Sequence, residues 1–387
     1  MNSQMNRFQV ESLGTPTIDS PIKILSSRKF VTANSRILHK PLLSEVKSSI
    51  EQGTDPETFE LAGPSEKIFF APEKTKAMII TCGGLCPGIN SVIRGIVMQL
   101  WYQYGVKNIV GAPYGYRGLG IDSKQSFVEL TPNVVMNIHE QGGSFLGSSR
   151  GTPPTREIID CLEKHRVDLL FVIGGDGTMR GALSISRELQ ERNSKIAIVG
   201  IPKTIDNDIP FVRRSFGFET AVSIACQAAY SGHNEAKGTP NGIGLVKLMG
   251  RHSGYIAANT TLAAGHANFC LIPEIDFDLG GTNGLLAQLE KRIHETDHTL
   301  IIVAEGAGQK FFANTDLGTD ASGNKKLGDI GLFMKDKIAS HFKEKNITTS
   351  VKYIDPSYLI RSAAANPADN LFCANLAQSA VPEMETD

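Results

Sequence analysis

Residues 168–178 read DLLFVIGGDGT: five consecutive apolar residues that open into two glycines, an aspartate, a glycine and a threonine. A short continuous Leu/Phe/Val/Ile run, rather than an alternating one, predicts a strand buried on both faces, the kind that parallel sheets use. The residues that follow, TMRGALSISRELQERN (178–193), carry Met179, Ala182, Leu183 and Leu189 along one helical stripe. A buried strand that feeds a glycine turn and then a helix is the repeating step of an α/β protein.

The same step recurs along the chain. AMIITC (77–82), KIAIVGI (195–201), GIGLVKLM (242–249), NFCLIPE (268–274) and TLIIVAE (299–305) read as further strands, and INSVIRGIVMQLWYQ (89–103) as a helix. The expected class is therefore α/β, with parallel-rich sheets flanked by helices. In such sheets ligands bind beyond the carboxyl ends of the strands. Five of these strand ends are polar and mostly glycine-rich, TCGGLCPGIN, GGDGT, PKTIDND, MGRHSG and AEGAG, which predicts one functional rim. Residues 1–69 are polar and weakly patterned, and read as a loop-rich extension that docks on the body or mediates assembly.

Composition narrows the partners. With 39 basic and 40 acidic residues the net charge is -1, so no global field draws the chain to nucleic acid or an anionic membrane. The longest apolar runs, 77–82 and 169–173, fall far short of the roughly 20 residues of a membrane helix. The start of the chain has no apolar targeting core, and Glu11 and Asp19 speak against a transit peptide, so a cytoplasmic protein is expected. Six scattered cysteines are not a disulfide framework. Cys82 and Cys86 are the only close pair, and no second Cys or His pair follows to complete a closed zinc site.

Within GGDGT, glycines let a ligand approach the backbone, and the free N–H groups of a helix start favour phosphate. Asp176 puts a negative charge where anions are otherwise welcome, a conflict that a Mg²⁺ shared with phosphate oxygens resolves. A tight turn with an Asp cap is the plainer alternative. CGGLCPGIN offers Gly83, Gly84 and Gly88 as a second place for phosphate, while G-x-x-x-x-G-K-[ST] is absent and G-x-G-x-x-G is missing from the first turn. In IPKTIDNDIP (201–210), Asp206 or Asp208 can accept a hydroxyl proton as a phosphoryl group arrives, with Thr204 orienting substrate; an Asx turn between two prolines also accounts for the stretch. Arg251 of LMGRHSGY and Arg361 of DPSYLIRS have the guanidinium fork that suits a sugar phosphate, and His252 reads as structural.

Taken together, CGGLCPGIN, GGSFLGSSRG, VIGGDGT, PKTIDNDI, SFGFETA, LMGRHSGYIA, VAEGAGQ and KYIDPSYLIR resemble the phosphofructokinase family in order and spacing, from about residue 66 to 375. The resemblance is closest to the ATP-dependent branch of the plant and trypanosome type, itself related to the pyrophosphate-dependent enzymes. NAD and lipid kinases share GGDGT but lack PKTIDND and MGR.

The resemblance implies a nucleotide-binding domain over 70–217, to which 356–387 return, and a sugar-phosphate domain over 218–355, with the active site in the cleft between them. It implies that Gly84, Arg150, Gly151, Gly175, Asp176, Gly177 and Thr178 hold ATP, with Asp176 on Mg²⁺. Thr204, Ile205, Asp206, Met249, Gly250, Arg251, Glu305, Tyr358, Leu359, Ile360 and Arg361 would hold fructose 6-phosphate, and Asp206 would take the proton of its 1-hydroxyl. The products would be fructose 1,6-bisphosphate and ADP, made by an allosteric homo-oligomer, a dimer or tetramer, with no nucleic-acid or membrane partner.

Three departures from the family pattern bear on this. An aspartate at the position of Gly177 accompanies pyrophosphate use, because it occupies the space of the ATP α-phosphate, whereas glycine leaves that space open. Lys203, by contrast, is the pyrophosphate-type choice. Steric exclusion outweighs an added attraction, so ATP is the expected donor, and a pyrophosphate-dependent phosphotransferase is the alternative. After PSYLIRS the chain ends at PEMETD where family members run on for several tens of residues. That ending implies uncovered apolar surface, at about 25 cal/mol per Å², and raises a second alternative, a shortened subunit with little activity. Finally, Pro240-Asn241-Gly242 stands where bacterial enzymes place an arginine from a neighbouring subunit, and Lys247 is the expected substitute cation.

Overall fold

The structure, a computed structural model, describes residues 10, 12–23, 30–32, 34–121, 123–319 and 325–382; Glu11 and the ending at 383–387 lie outside them. The extension carries two antiparallel pairs: β1 (Ile18–Asp19) with β4 (Lys67–Ile68), and β2 (Arg36–Leu38) with β3 (Thr58–Glu60). Helix α1 (Leu43–Glu51) lies between the strands of the second pair in sequence and buries none of its residues.

The first sheet contains β5 (Lys76–Thr81), β6 (Asn108–Ala112), β7 (Val128–Glu129), β8 (Leu169–Gly174) and β9 (Ala197–Pro202), in the order β7-β6-β5-β8-β9. All its pairs are parallel except β6 with β7. On one face lie α2 (Ile89–Met98), the short α3 (Pro132–Val135) and, from the far end of the chain, Cys373 and Ala377. On the other lie α4 (Thr155–Lys164) and α5 (Asp176–Glu191). β8 is buried at all six residues because both faces are covered, which is why its sequence is apolar without alternation.

The second sheet follows α6 (Phe218–Lys237) and contains β10 (Gly242–Leu248), β11 (Phe269–Leu271), β12 (His298–Ala304) and β13 (Ser350–Ile354). Its order is β11-β12-β10-β13, and every pair is parallel. Helix α6 and α7 (Tyr255–Ala264) cover one face, α8 (Leu285–Thr296) and α9 (Ile330–Glu344) the other. The chain then turns through α10 (Ser357–Arg361) into α11 (Pro367–Ala380), which lies so close on α2 that a Cβ at Gly95 would meet the methyl of Ala377. The fold is the expected α/β arrangement of helix-flanked, parallel-rich sheets.

Several local details differ from the expectations. The helix over 89–103 is α-helical only to Met98, and a wider π turn (Gln99–Tyr104) follows it, with Leu100 and Tyr104 both buried. On α5 the buried stripe is Thr178, Ala182, Ile185 and Leu189, while Leu183 stands 48% exposed: a 4-3-4 spacing keeps to one face and position 183 falls off it. The strand in NFCLIPE shortens to three residues before Pro273, which has no N–H to donate to a ladder. β6 and β13 gave no clear strand signal, β6 because Gly111 interrupts it where the Leu146 side chain packs, β13 because none of its residues is fully buried.

Candidate active site

The carboxyl ends of β5, β8 and β9 carry three loops that bond to one another. The N–H of Gly83 donates to the Ser149 carbonyl at 3.1 Å, and the Ser148 hydroxyl donates to the Gly83 carbonyl at 2.6 Å, which ties the stretch holding Arg150 and Gly151 to the first glycine loop. From the opposite side Asn90, at the start of α2, donates to the Gln141 carbonyl (3.0 Å) and accepts from the Phe145 N–H (2.7 Å). Asn90 was not singled out in the sequence; two adjacent polar residues, Asn90 and Ser91, in the first turn of a mostly apolar helix were the available signal.

The third loop joins the second strand end where the Lys203 N–H donates to the Gly174 carbonyl at 2.8 Å. Gly174 has to be glycine, since a Cβ there would collide with the side chain of Thr178. Thr178 is buried in the first turn of α5, whereas Asp176 and Gly177 are exposed at its start, and a Cβ at Gly177 would meet only open space and the Arg180 guanidinium at 3.9 Å. Among the described residues no three His, Cys, Asp or Glu side chains converge as metal ligands. What the loop offers is one accessible carboxylate at a phosphate-favouring helix start, a donor set that fits a Mg²⁺ carried in with nucleotide phosphates and water.

Lys203 is only 7% exposed, and burial pushes its ammonium below the usual lysine range. It has no ion-pair partner among the described residues, and it lies 3.8 Å from where a Gly83 Cβ would be. Arg361, at the end of α10, reaches to 3.3 Å from the corresponding point at Gly84, also without a carboxylate partner among the described residues. Arg361 lowers Lys203 further and the charge of Asp206 opposes that, so the two basic groups beside the glycine loop form a recess in which an anion would offset their repulsion.

The second sheet brings its own strand ends to this place. The Glu305 N–H donates to the Leu248 carbonyl (2.8 Å), that of Gly306 to the Gly250 carbonyl (3.0 Å), and the buried Ser253 hydroxyl donates to the carbonyl of Asp206 (3.2 Å). Asp206 therefore stands where the two sheets' rims touch. Its Oδ1 is buried without a hydrogen-bond partner, and its carboxyl is pushed up to about 7, first by burial and then by the charges of Asp208 and Glu305. Asp208 accepts the Thr204 hydroxyl at 2.6 Å, and that hydroxyl accepts the Asp206 N–H at 3.1 Å, so the turn formed here is made by Thr204 rather than by the expected Asx side chain, and it fixes the main chain at Asp206. Burial also raises Glu305, against the pull of Lys247 and Arg251.

Other expected residues take diverse places. Met249 and Gly250 are buried behind Arg251, which donates to the carbonyl of Lys325. Ile205 packs partly into the core, Ile360 is wholly buried, and Tyr358 and Leu359 point outward at 83% and 70% exposure, so within α10 only Arg361 leans on the glycine loop. His252 is exposed. Lys247 is not a free substitute cation: its ammonium is bonded to Asp329 (3.2 Å) and Asp355 (3.0 Å), bracing the cap of α9 and the turn before α10. Cys86 donates its thiol to the Phe216 carbonyl at 3.3 Å, inside the core.

Comparisons with known proteins show the family. The family model described as phosphofructokinase matches residues 76–384. The chain is 50% identical to the ATP-dependent 6-phosphofructokinase of Borreliella burgdorferi over 384 residues, 97% of this chain and 85% of that one. It is 42% identical to the ATP-dependent 6-phosphofructokinase of Trypanoplasma borreli, over 99% of this chain and 78% of the relative. In fold it resembles the crystal structure of a pyrophosphate-dependent phosphofructokinase from Marinobacter aquaeolei, with a TM-score of 0.64 at 20% identity, covering 79% of this chain and 75% of that one. With five glycine-rich or acidic strand ends gathered at one place and a family match over most of its length, the chain belongs to the phosphofructokinase family.

Proposed function

We propose that the chain is an ATP-dependent 6-phosphofructokinase, which transfers the γ-phosphoryl group of ATP to the 1-hydroxyl of fructose 6-phosphate. The observation that carries this reading is the Asp206 carboxyl: buried, lacking a partner at Oδ1, poised near 7, and set between a nucleotide-type glycine rim and a sugar-phosphate rim. The curated relatives that bear this activity in their names match nearly the whole chain.

ATP lies along Gly84, Arg150, Gly151 and the Gly175 to Thr178 turn, its phosphates over the start of α5. Asp176 would hold Mg²⁺, which when bound would supply charge neutralisation to the phosphates of ATP. Lys203 and Arg361 add positive charge beside the glycine loop as the phosphoryl group crosses. Thr204, Ile205, Met249, Gly250, Arg251, Glu305 and Tyr358 to Arg361 shape the fructose 6-phosphate pocket, with Arg251 on the 6-phosphate. Asp206 accepts the proton of the 1-hydroxyl, and its raised affinity for a proton suits a base working near neutral pH. Residues 70–217 with 356–387 make the nucleotide-binding unit and 218–355 the sugar-phosphate unit, in a cytoplasmic homo-oligomer. No helix among the described residues is long and apolar enough to cross a membrane.

The open space at Gly177 supports ATP over pyrophosphate as donor. A coupled assay with fructose 6-phosphate and, in turn, MgATP and Mg-pyrophosphate tests the reading. Turnover with ATP and little with pyrophosphate is the expected result, and transfer from neither donor would sink it.

A further inference from the structure

We infer that the N-terminal extension latches the loop that follows the proposed base, and that Phe211 is the positioning residue through which it acts, a role that rests on the assignment of Asp206 proposed above. The loop over 207–215 is pinched at its base. Asn207 Oδ1 accepts the Ser215 N–H (2.7 Å) and hydroxyl (3.2 Å), and its amide donates to the Arg213 carbonyl (3.5 Å). At the tip Phe211 adopts φ +68°, the left-handed region where a bulky side chain is out of place unless its surroundings hold it.

Those surroundings come from the extension. The Phe211 ring meets His39 edge-on, with centroids 4.8 Å apart, and Phe59 at 6.3 Å, while His39 and Phe59 pack edge to face on each other at 5.5 Å. Phe59 is the middle residue of β3, opposite Ile37, and His39 directly follows β2, with its N–H on the Glu57 carbonyl (2.9 Å) and its Nδ1 3.1 Å from the Glu57 carboxylate. Arg36 braces the same ribbon through the Thr58 hydroxyl (2.6 Å) and Glu60 (3.6 Å). A two-stranded ribbon is marginal in water by itself, so the ribbon gains a face to bury against just where the loop gains a support. The path to the chemistry is short: Phe211 is three residues beyond Asp208, which is bonded to Thr204, which holds the Asp206 N–H.

The test uses the full chain with Phe59→Ala, Phe211→Gly, their double variant, and Phe59→Tyr as the conservative control. Phe59→Ala and Phe211→Gly are each expected to lower kcat with saturating ATP and fructose 6-phosphate by roughly 3- to 30-fold and to speed amide hydrogen exchange over 206–215. The double variant should be no worse than the poorer single one, and Phe59→Tyr should restore wild-type rates. Wild-type kcat, KM and exchange in both single variants would overturn the latch, as would a lower Tm with unchanged kinetics and exchange. A wild-type protein that transfers nothing to fructose 6-phosphate overturns the assignment of the site instead, and the exchange measurement then decides the latch alone.

Discussion

The hydroxyl of Ser253 donates to the main-chain carbonyl of Asp206 at 3.2 Å, one bond between the strand-end loops of two separate sheets. Ser253 is 4% exposed, and the carbonyl it engages belongs to the residue proposed as the base. Ser253→Ala removes about 0.5–1.5 kcal/mol of positioning energy, a factor of about 2–12 in kcat/KM for fructose 6-phosphate, with a Tm close to that of the wild type. Initial rates with varied sugar phosphate check this, and an unchanged kcat/KM would remove Ser253 from the positioning of the base.

Asp206→Asn is expected to cut turnover by about 10²- to 10⁴-fold while KM for fructose 6-phosphate moves only a few-fold, because the amide keeps the shape and loses the basicity. In the wild type, activity should rise as pH increases through about 7, since the carboxyl is a base only when ionised. The stability effect has the opposite sense. A carboxyl raised by burial is harder to ionise in the folded state, so ionisation between about pH 4 and 7 weakens folding and the loss stays constant above. The asparagine variant should therefore be more stable than the wild type at pH 8, on the order of 1–3 kcal/mol once solvent screening is allowed for, and of similar stability near pH 4. Thermal melts at the two pH values decide it.

Gly177→Asp places a carboxylate in the open space at the start of α5. KM for ATP should rise at least 10-fold, about 1.4 kcal/mol, with KM for fructose 6-phosphate held within a few-fold. Lys203→Met should instead lower kcat with ATP by about 10²- to 10³-fold, the range for removing one preorganised electrostatic group. Steady-state kinetics on both variants separate the two effects, and equal KM for ATP in Gly177→Asp and the wild type would refute the steric account.

Asp369 is fully buried, and one of its oxygens accepts both the N–H (2.8 Å) and the hydroxyl (2.6 Å) of Thr220 at the start of α6, while its own N–H is capped by Asn366. Asp369→Ala strips these acceptors from buried donors and should destabilise the protein by about 2–4 kcal/mol, read as a drop in urea midpoint at constant m. Thr220→Val removes the partner and should cost less, because Asp369 still receives the main-chain N–H.

The strands and loops of DLLFVIGGDGT and PKTIDND were legible because much of what they need is local: apolar runs, glycine where a side chain would collide, and short polar side chains that bond the main chain beside proline, although Thr204 and not an Asx residue makes that bond. Family resemblance then joined residues that are far apart, such as Asp176 and Arg251. The sequence could not reveal the burial of Lys203, since a lysine after a proline reads as a surface charge until two loops close over it. Lys247 misled for the same reason: its carboxylate partners lie 82 and 108 residues further on, so it read as a spare cation. Nor could spacing report that Phe211 is left-handed, or that the rings it packs against sit at positions 39 and 59. Whatever depends on contacts between distant segments was silent, and that includes the Asp369–Thr220 pair, 149 positions apart.

Helix α11 has a consequence for the order in which the protein is made. Cys373 and Ala377 belong to the same apolar cluster as β5, β8 and α2, yet about 165 residues, including all of the second sheet, leave the ribosome between the end of β9 and the start of α11. At 5–20 residues per second that interval is roughly 8–30 s. Throughout it the nascent chain exposes the groove over Gly95 that α11 will fill, so the first sheet is translated first and sealed last.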